Sequence, residues 1–127
     1  MQTYILQSNT FLGLFVGQNI VCLSNVDSTN NYLKELLTKS RPVPEGSVIM
    51  AVKQSAGRGQ IGNAWHSEAG KNLTFSVVLY PSFLPIEQQF ELTKAVSLAL
   101  NDVLSIYFGP SAKIKWPNDC YIDDKKI

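Results

Sequence analysis

The sequence predicts an α/β (α+β) fold, a mixed sheet with helices packed on it. Three observations carry this. Short apolar runs at 19–24 and 48–53 read as strands. Apolar residues recur at helical spacing after Asp27-Ser28-Thr29-Asn30, and again over 86–107. Strands and helices mix in an order that suits a sheet with helices laid against it.

In chain order, residues 1–17 carry no clear period. Ile20, Val21, Cys22 and Leu23 mark the first strand. Asp27-Ser28-Thr29-Asn30 is a cluster of helix N-cap residues, and Tyr32, Leu33, Leu36 and Leu37 form the apolar face of the helix that follows. Pro42 and Pro44 end it, because proline cannot continue a helix and disfavours helix in the residue before. The strand at 48–53 then opens into Gly57-Arg58-Gly59-Gln60-Ile61-Gly62. Residues 63–71 show no helical period. Leu73 to Tyr80 alternates as a strand, with Leu73, Phe75, Val77 and Leu79 on one side. Pro81 and Pro85 bracket a turn. The helix at 86–107 carries two adjacent apolar stripes, an arc wide enough to predict deep packing against the sheet. Lys113 to Trp116, Pro117-Asn118-Asp119 and Cys120 to Ile122 read as strand, turn, strand, with a further turn at Asp123-Asp124.

With 127 residues, 45% of them hydrophobic and 17% charged, the composition suits one core and one domain, 1–127. A net charge of +1 advertises no basic surface for nucleic acid. The run Phe11 to Gly17 is too short to span a bilayer, and Met1 to Thr10 lacks the basic start of a secretory signal. Two cysteines, Cys22 and Cys120, fit a reducing compartment. The expectation is a soluble cytoplasmic protein without membrane contact.

Three stretches carry chemistry. In the glycine loop, backbone N–H groups can approach an anion and Arg58 adds a fixed positive fork. A mobile loop with a solvated Arg is an equal reading of those six residues alone. Its spacing fits a dinucleotide-binding turn, but that motif needs a helix at the loop and an acidic residue about 20 positions on. Residues 63–71 are not helical and 78–86 hold no Asp or Glu, so the dinucleotide reading fails. In Lys115-Trp116-Pro117-Asn118-Asp119, Pro117 stiffens a turn beside a lysine that either faces solvent or meets an anion. Asn118 and Asp119 can order that loop or face a metal-bound phosphate. The cap cluster Asp27 to Asn30 can also receive a polar ligand at the helix start. His66 is the only histidine, and with two distant cysteines it makes no zinc site.

Together these stretches resemble the biotin protein ligases. The family pattern is Ser-Thr-Asn at a helix start, then Gln-x-x-Gly-Arg-Gly-x-x-Gly with a following Trp, then Lys-Trp-Pro-Asn-Asp. This chain has Ser28-Thr29-Asn30, Gln54 with Gly57-Arg58-Gly59, Gly62 and Trp65, and Lys115-Trp116-Pro117-Asn118-Asp119, in that order. The resemblance covers about residues 20–127. It implies a catalytic domain like that of the class II aminoacyl-tRNA synthetases. It also implies two chemical steps: the biotin carboxylate attacks the α-phosphate of ATP, and a lysine of a biotin carboxyl carrier protein then takes the biotinyl group. It assigns biotin contacts to Ser28, Thr29, Asn30, Gln54 and Gly57. Arg58 and Lys115 become the catalytic cations that hold the carboxylate and the phosphate, and Mg²⁺ would neutralise the phosphates. The nucleotide falls to Arg58, Gly59, Gly62, Asn118 and Trp65, the last near the adenine.

Lipoate–protein ligases share the fold but lack the Trp-Pro-Asn-Asp continuation, and a non-catalytic biotin-binding fragment is the alternative from another class. Many relatives carry Arg where this loop has Gln60, Ile61 and Asn63, which bears on the adenylate grip and on a homodimer built through the loop. Only 27 residues precede Ser28, less than the helix-turn-helix domain of the repressing relatives, so no DNA binding is expected. The family continues past the position of Ile127. The expectation is therefore a C-terminally truncated catalytic domain with an incomplete nucleotide site and exposed apolar surface.

Overall fold

The computed structural model describes residues 3–7 (backbone only), 15–39 and 41–127. Residues 11–14 of the short apolar run, and Ser40 in the stretch that ends the first helix, lie outside the described residues. The chain divides into two compact units, Met1–Tyr80 and Pro81–Ile127.

The first unit is built on a four-stranded sheet. Its strands are β1 (Thr3–Gln7), β2 (Asn19–Val26), β3 (Val48–Gln54) and β6 (Thr74–Val77), in the order β1-β2-β3-β6. β2 and β3 run parallel, joined through helix α1 (Thr29–Leu37); β1 and β6 are antiparallel to their neighbours. Strand β1 falls in the stretch without sequence period, and its pairing with β2, Thr3 opposite Leu23 through Gln7 opposite Asn19, defines it. Between β3 and β6 the glycine stretch forms a small hairpin, β4 (Gly57–Arg58) with β5 (Ala64–Trp65).

The parallel register places Val21 beside Ile49 and Leu23 beside Ala51. With Leu33 of α1 and Val78, these residues form the core, where Leu23 and Ile49 are 1% exposed. In β6 the buried phase is the polar one. Ser76 lies opposite Ile49 and is buried, whereas Leu73 is 81% exposed and Phe75 about half exposed. The strand is also shorter than the predicted 73–80. Beyond Val77 the backbone bonds the loop before β3, through Val78 N–H to Ser47 O and Gly46 N–H to Val78 O.

In the second unit a single 3₁₀ turn, Ile86–Gln88, leads into helix α2 (Gln89–Phe108). An antiparallel sheet follows: β7 (Ala112–Lys115), β8 (Asp119–Ile122) and β9 (Lys125–Lys126). The second unit by itself does not supply the deep packing expected of α2. Ser97 is its only buried residue, while Val103, Ile106 and Tyr107 are exposed. Twenty residues of helix span about 30 Å. The strand packed on it has four residues, about 13 Å, and cannot cover that arc.

Since Leu23 sits at the centre of the first core, Leu23→Ala should lower unfolding free energy by about 2–5 kcal/mol. A urea midpoint unchanged from wild type would contradict this assignment of the core.

Candidate active site

The crossover β2–α1–β3 brings the start of α1 and the end of β3 to the same edge of the sheet. Two backbone bonds carry the pairing past the strand ends: Ser55 N–H to Val26 O at 3.0 Å and Ala56 N–H to Asp27 O at 2.7 Å. Ser28 caps α1 from an extended conformation, its Oγ accepting from Asn31 N–H at 3.5 Å. The next amide is served from across the sheet. Thr29 N–H donates to Gln54 Oε1 at 2.7 Å, and Thr29 Oγ1 donates to the same oxygen at 3.1 Å. A backbone N–H can only donate, so Gln54 must turn its oxygen to Thr29 and its NH₂ the other way.

That NH₂ group and a backbone carbonyl together explain Gly57. A Cβ there would lie 2.8 Å from Gln54 Nε2 and 2.5 Å from Trp65 O, so the position admits only hydrogen. The motif glycine serves close approach of backbone to side chain. The loop is a tight hairpin, closed by Gly59 N–H to Asn63 O at 2.6 Å. Ile61 and Gly62 occupy left-handed backbone, φ 54° and 75°. For a β-branched residue this is unusual and costs about 1–2 kcal/mol. No α-helix starts at the loop, in line with rejection of the dinucleotide pattern.

Ser76 is the residue that sequence reasoning missed. Its Oγ lies 2.9 Å from Thr29 Oγ1 and donates to Asn30 Oδ1 at 2.7 Å. Ser76, Thr29, Asn30 and Gln54 thus form one polar cluster across α1, β3 and β6, in which the single Thr29 hydroxyl proton is shared between Gln54 Oε1 and Ser76 Oγ. The available signal was the phase of β6, in which Ser76 shares its face with buried Val78.

Asp27 accepts from Asn31 Nδ2 at 2.6 Å. That bond, then the backbone N–H of Ser28, and to a lesser degree the Arg58 charge, hold its carboxyl below the usual aspartate value. Arg58 itself is exposed. Trp65 is 42% exposed.

In the second unit Lys115 ends β7 opposite Asp119, is exposed, and forms no salt bridge among the described residues. The turn after it is held twice. Trp116 meets Phe90 edge-to-face at 5.6 Å, and Ser97 Oγ donates to Pro117 O at 2.5 Å. Asp119 is engaged by Lys126 Nζ at 2.7 Å and by Asn118 Nδ2 at 3.4 Å, so it orders the hairpin. Cys22 and Cys120 are half-buried free thiols. Among the described residues no three His, Cys, Asp or Glu side chains converge on a metal position.

Residues 23–127 match the Biotin/lipoate A/B protein ligase family. This chain belongs to that family. It is 33% identical over 111 residues to the bifunctional ligase/repressor BirA of Bacillus subtilis, covering 87% of this chain and 33% of that protein. It is 32% identical to the Escherichia coli BirA, covering 97% and 37%. Among solved structures it resembles the Aquifex aeolicus biotin protein ligase in complex with biotin and ATP. That match has a TM-score of 0.66 at 32% identity and covers 85% of this chain and 43% of that one. The chain thus spans about a third of the length of these curated relatives. The α+β mixed sheet with packed helices is the one expected, and the solved relatives share the class II aminoacyl-tRNA synthetase-like fold.

Two measurements check the site. Gly57→Ala should cost about 1–3 kcal/mol by overpacking, since the opposing atom is backbone; wild-type thermal stability would show that the hairpin does not approach so closely. A depressed carboxyl stabilises the fold above its ordinary pKa and loses that effect as pH falls through the lowered value. The Asp27 carboxyl ¹³C titration should therefore have a midpoint below that of a free aspartate, rising in Asn31→Ala. The same midpoint in both proteins would remove Asn31 as the cause.

Proposed function

We propose that the full-length protein is an ATP-dependent biotin–protein ligase. One observation supports this most directly: Thr29, Asn30, Gln54 and Gly57, far apart in sequence, form one polar edge in a chain whose relatives are biotin protein ligases. A biotin ureido ring presents N–H donors and a carbonyl acceptor. Ser28, Thr29 and Gln54 are assigned to that ring, since hydroxyl and amide side chains carry both donors and acceptors.

In the proposed reaction a biotin carboxylate oxygen attacks the α-phosphorus of ATP. Biotinyl-5′-AMP forms and pyrophosphate leaves. The ε-amine of a carrier lysine then attacks the acyl carbon, giving the amide, AMP and a proton. Two anions must meet in the first step, so fixed positive groups are needed where charge develops. Arg58 and Lys115 take that role, both exposed and outside every salt bridge of the described residues. Trp65, Gly59, Gly62 and Asn118 are assigned to the nucleotide.

Mg²⁺ fits this reading only as an ion carried by the nucleotide phosphates, since the described side chains offer no carboxylate cluster for it. The proposed partner is a biotin carboxyl carrier protein, without nucleic acid, and a homodimer is open. No helix of the described residues is long and apolar enough to cross a membrane, and a cytoplasmic location is part of the proposal.

The test is pyrophosphate release from ATP by the full-length protein. Biotin should stimulate it and lipoate should not; equal stimulation by lipoate would overturn the substrate assignment. Lys115→Ala should slow adenylation by about 10²–10³-fold, the usual cost of one preorganised charge donor. Normal kinetics would leave Lys115 a solvated lysine.

A further inference from the structure

The first unit holds a concavity at the opposite end of the parallel strands from Gln54. Its volume is about 450 Å³, within the range of small-molecule sites. Ile20 and Val21 at the start of β2, Ile49 at the start of β3, and Leu36 near the end of α1 form its walls, with Val43 closing one side. Ile49 and Gln54 are five residues apart on one strand, about 16 Å. The cavity is therefore separate from the polar edge described above.

Its walls are fixed in advance. Pro42 and Pro44 restrict the lining loop. That loop is tied down by Tyr80 Oη to Val43 O at 2.9 Å and by Ser47 Oγ to Pro44 O at 2.7 Å. Gly46 N–H to Val78 O at 2.8 Å pins it to the chain after β6. Ser47 spends its hydroxyl proton on Pro44, and the rest of the wall is largely carbon.

Two cations, Lys39 and Arg41, line the same cavity. Lys39 touches Glu35 at 3.2 Å in an exposed pair, a weak attachment. Arg41 has no salt bridge among the described residues. Among the described residues no acidic side chain lines the cavity. An apolar chamber with positive charge and no negative charge complements a molecule with an apolar body and one anionic end.

We propose that this cavity binds a small amphipathic monocarboxylate, with its hydrocarbon among Ile20, Val21, Leu36 and Ile49 and its carboxylate on Arg41 and Lys39. The inference stands on the first unit alone and does not depend on the ligase reading.

The probe is sodium octanoate, titrated into the ¹⁵N-labelled 127-residue chain and followed by amide shifts, with 1-octanol as the uncharged control. Saturable shifts at Ile20, Val21, Leu36, Val43 and Ile49 are expected. Arg41→Ala, an exposed change that leaves the core intact, should weaken octanoate about tenfold, as loss of one charge-assisted hydrogen bond would. Octanol should bind wild type and the variant equally and more weakly than octanoate binds wild type. The proposal is overturned by absence of saturable shifts at these amides at millimolar octanoate. Shifts confined to Thr29, Gln54 and Gly57 overturn it too, as does octanoate affinity unchanged in Arg41→Ala. Failure of adenylation by the full-length protein would leave these shifts untouched, so the two readings fail separately.

Discussion

The hydrogen bonds from Thr29 to Gln54 Oε1 tie the candidate site together. A helix start leaves backbone N–H groups without intrahelical partners, and a preceding side chain usually serves one of them. Here Ser28 does so only at 3.5 Å, while the Thr29 N–H is met at 2.7 Å by a residue 25 positions later. One side-chain oxygen therefore joins the first turn of α1 to the last residue of β3. It also sets the direction of the Gln54 amide, which with the Trp65 carbonyl leaves room only for hydrogen at Gly57. The direction of Gln54 and the anchoring of Thr29 are consequences of one pairing.

The polar edge works because the rest of the same sheet face is carbon. Leu23, Ile49, Ala51 and Val78 keep water from that face, and Ser28, Thr29 and Ser76 are buried at its end. A buried hydroxyl without a partner costs about 1–3 kcal/mol, so each must be bonded. Among the described residues every buried side-chain polar atom has a partner. The second unit uses the same device once. Ser97, the buried residue of α2, spends its hydroxyl on the carbonyl of Pro117 and so holds the turn next to Lys115.

Charge is distributed by a different rule. Lys39, Lys71, Lys94 and Lys126 each lie against a carboxylate at the surface, where such pairs contribute little. Arg58 and Lys115 are among the exposed cations that lie outside these pairs. The backbone supports that exposure, since both residues sit in short strands that end at turns.

The sequence by itself determined the regular elements whose period is local. α1, β2, β3, α2 and the β7–β8 hairpin could be read because each shows its own alternation, helical spacing or cap. The motif residues were legible for the same reason, as short contiguous strings. Tertiary structure alone decided what depends on partners distant in the chain. β1 exists through its register with β2. The inward phase of β6 was settled by Ile49 opposite Ser76 and by the bonds of Ser76 to Thr29 and Asn30, against the more apolar alternation of Leu73 and Phe75. The wide apolar arc of α2 was visible in sequence, but its burial was not, because burial depends on the length of the partner strand. Gly57 could be recognised as a motif glycine, but the reason for it, a Gln54 amide and a Trp65 carbonyl closing over its Cα, arises only when three separate segments meet.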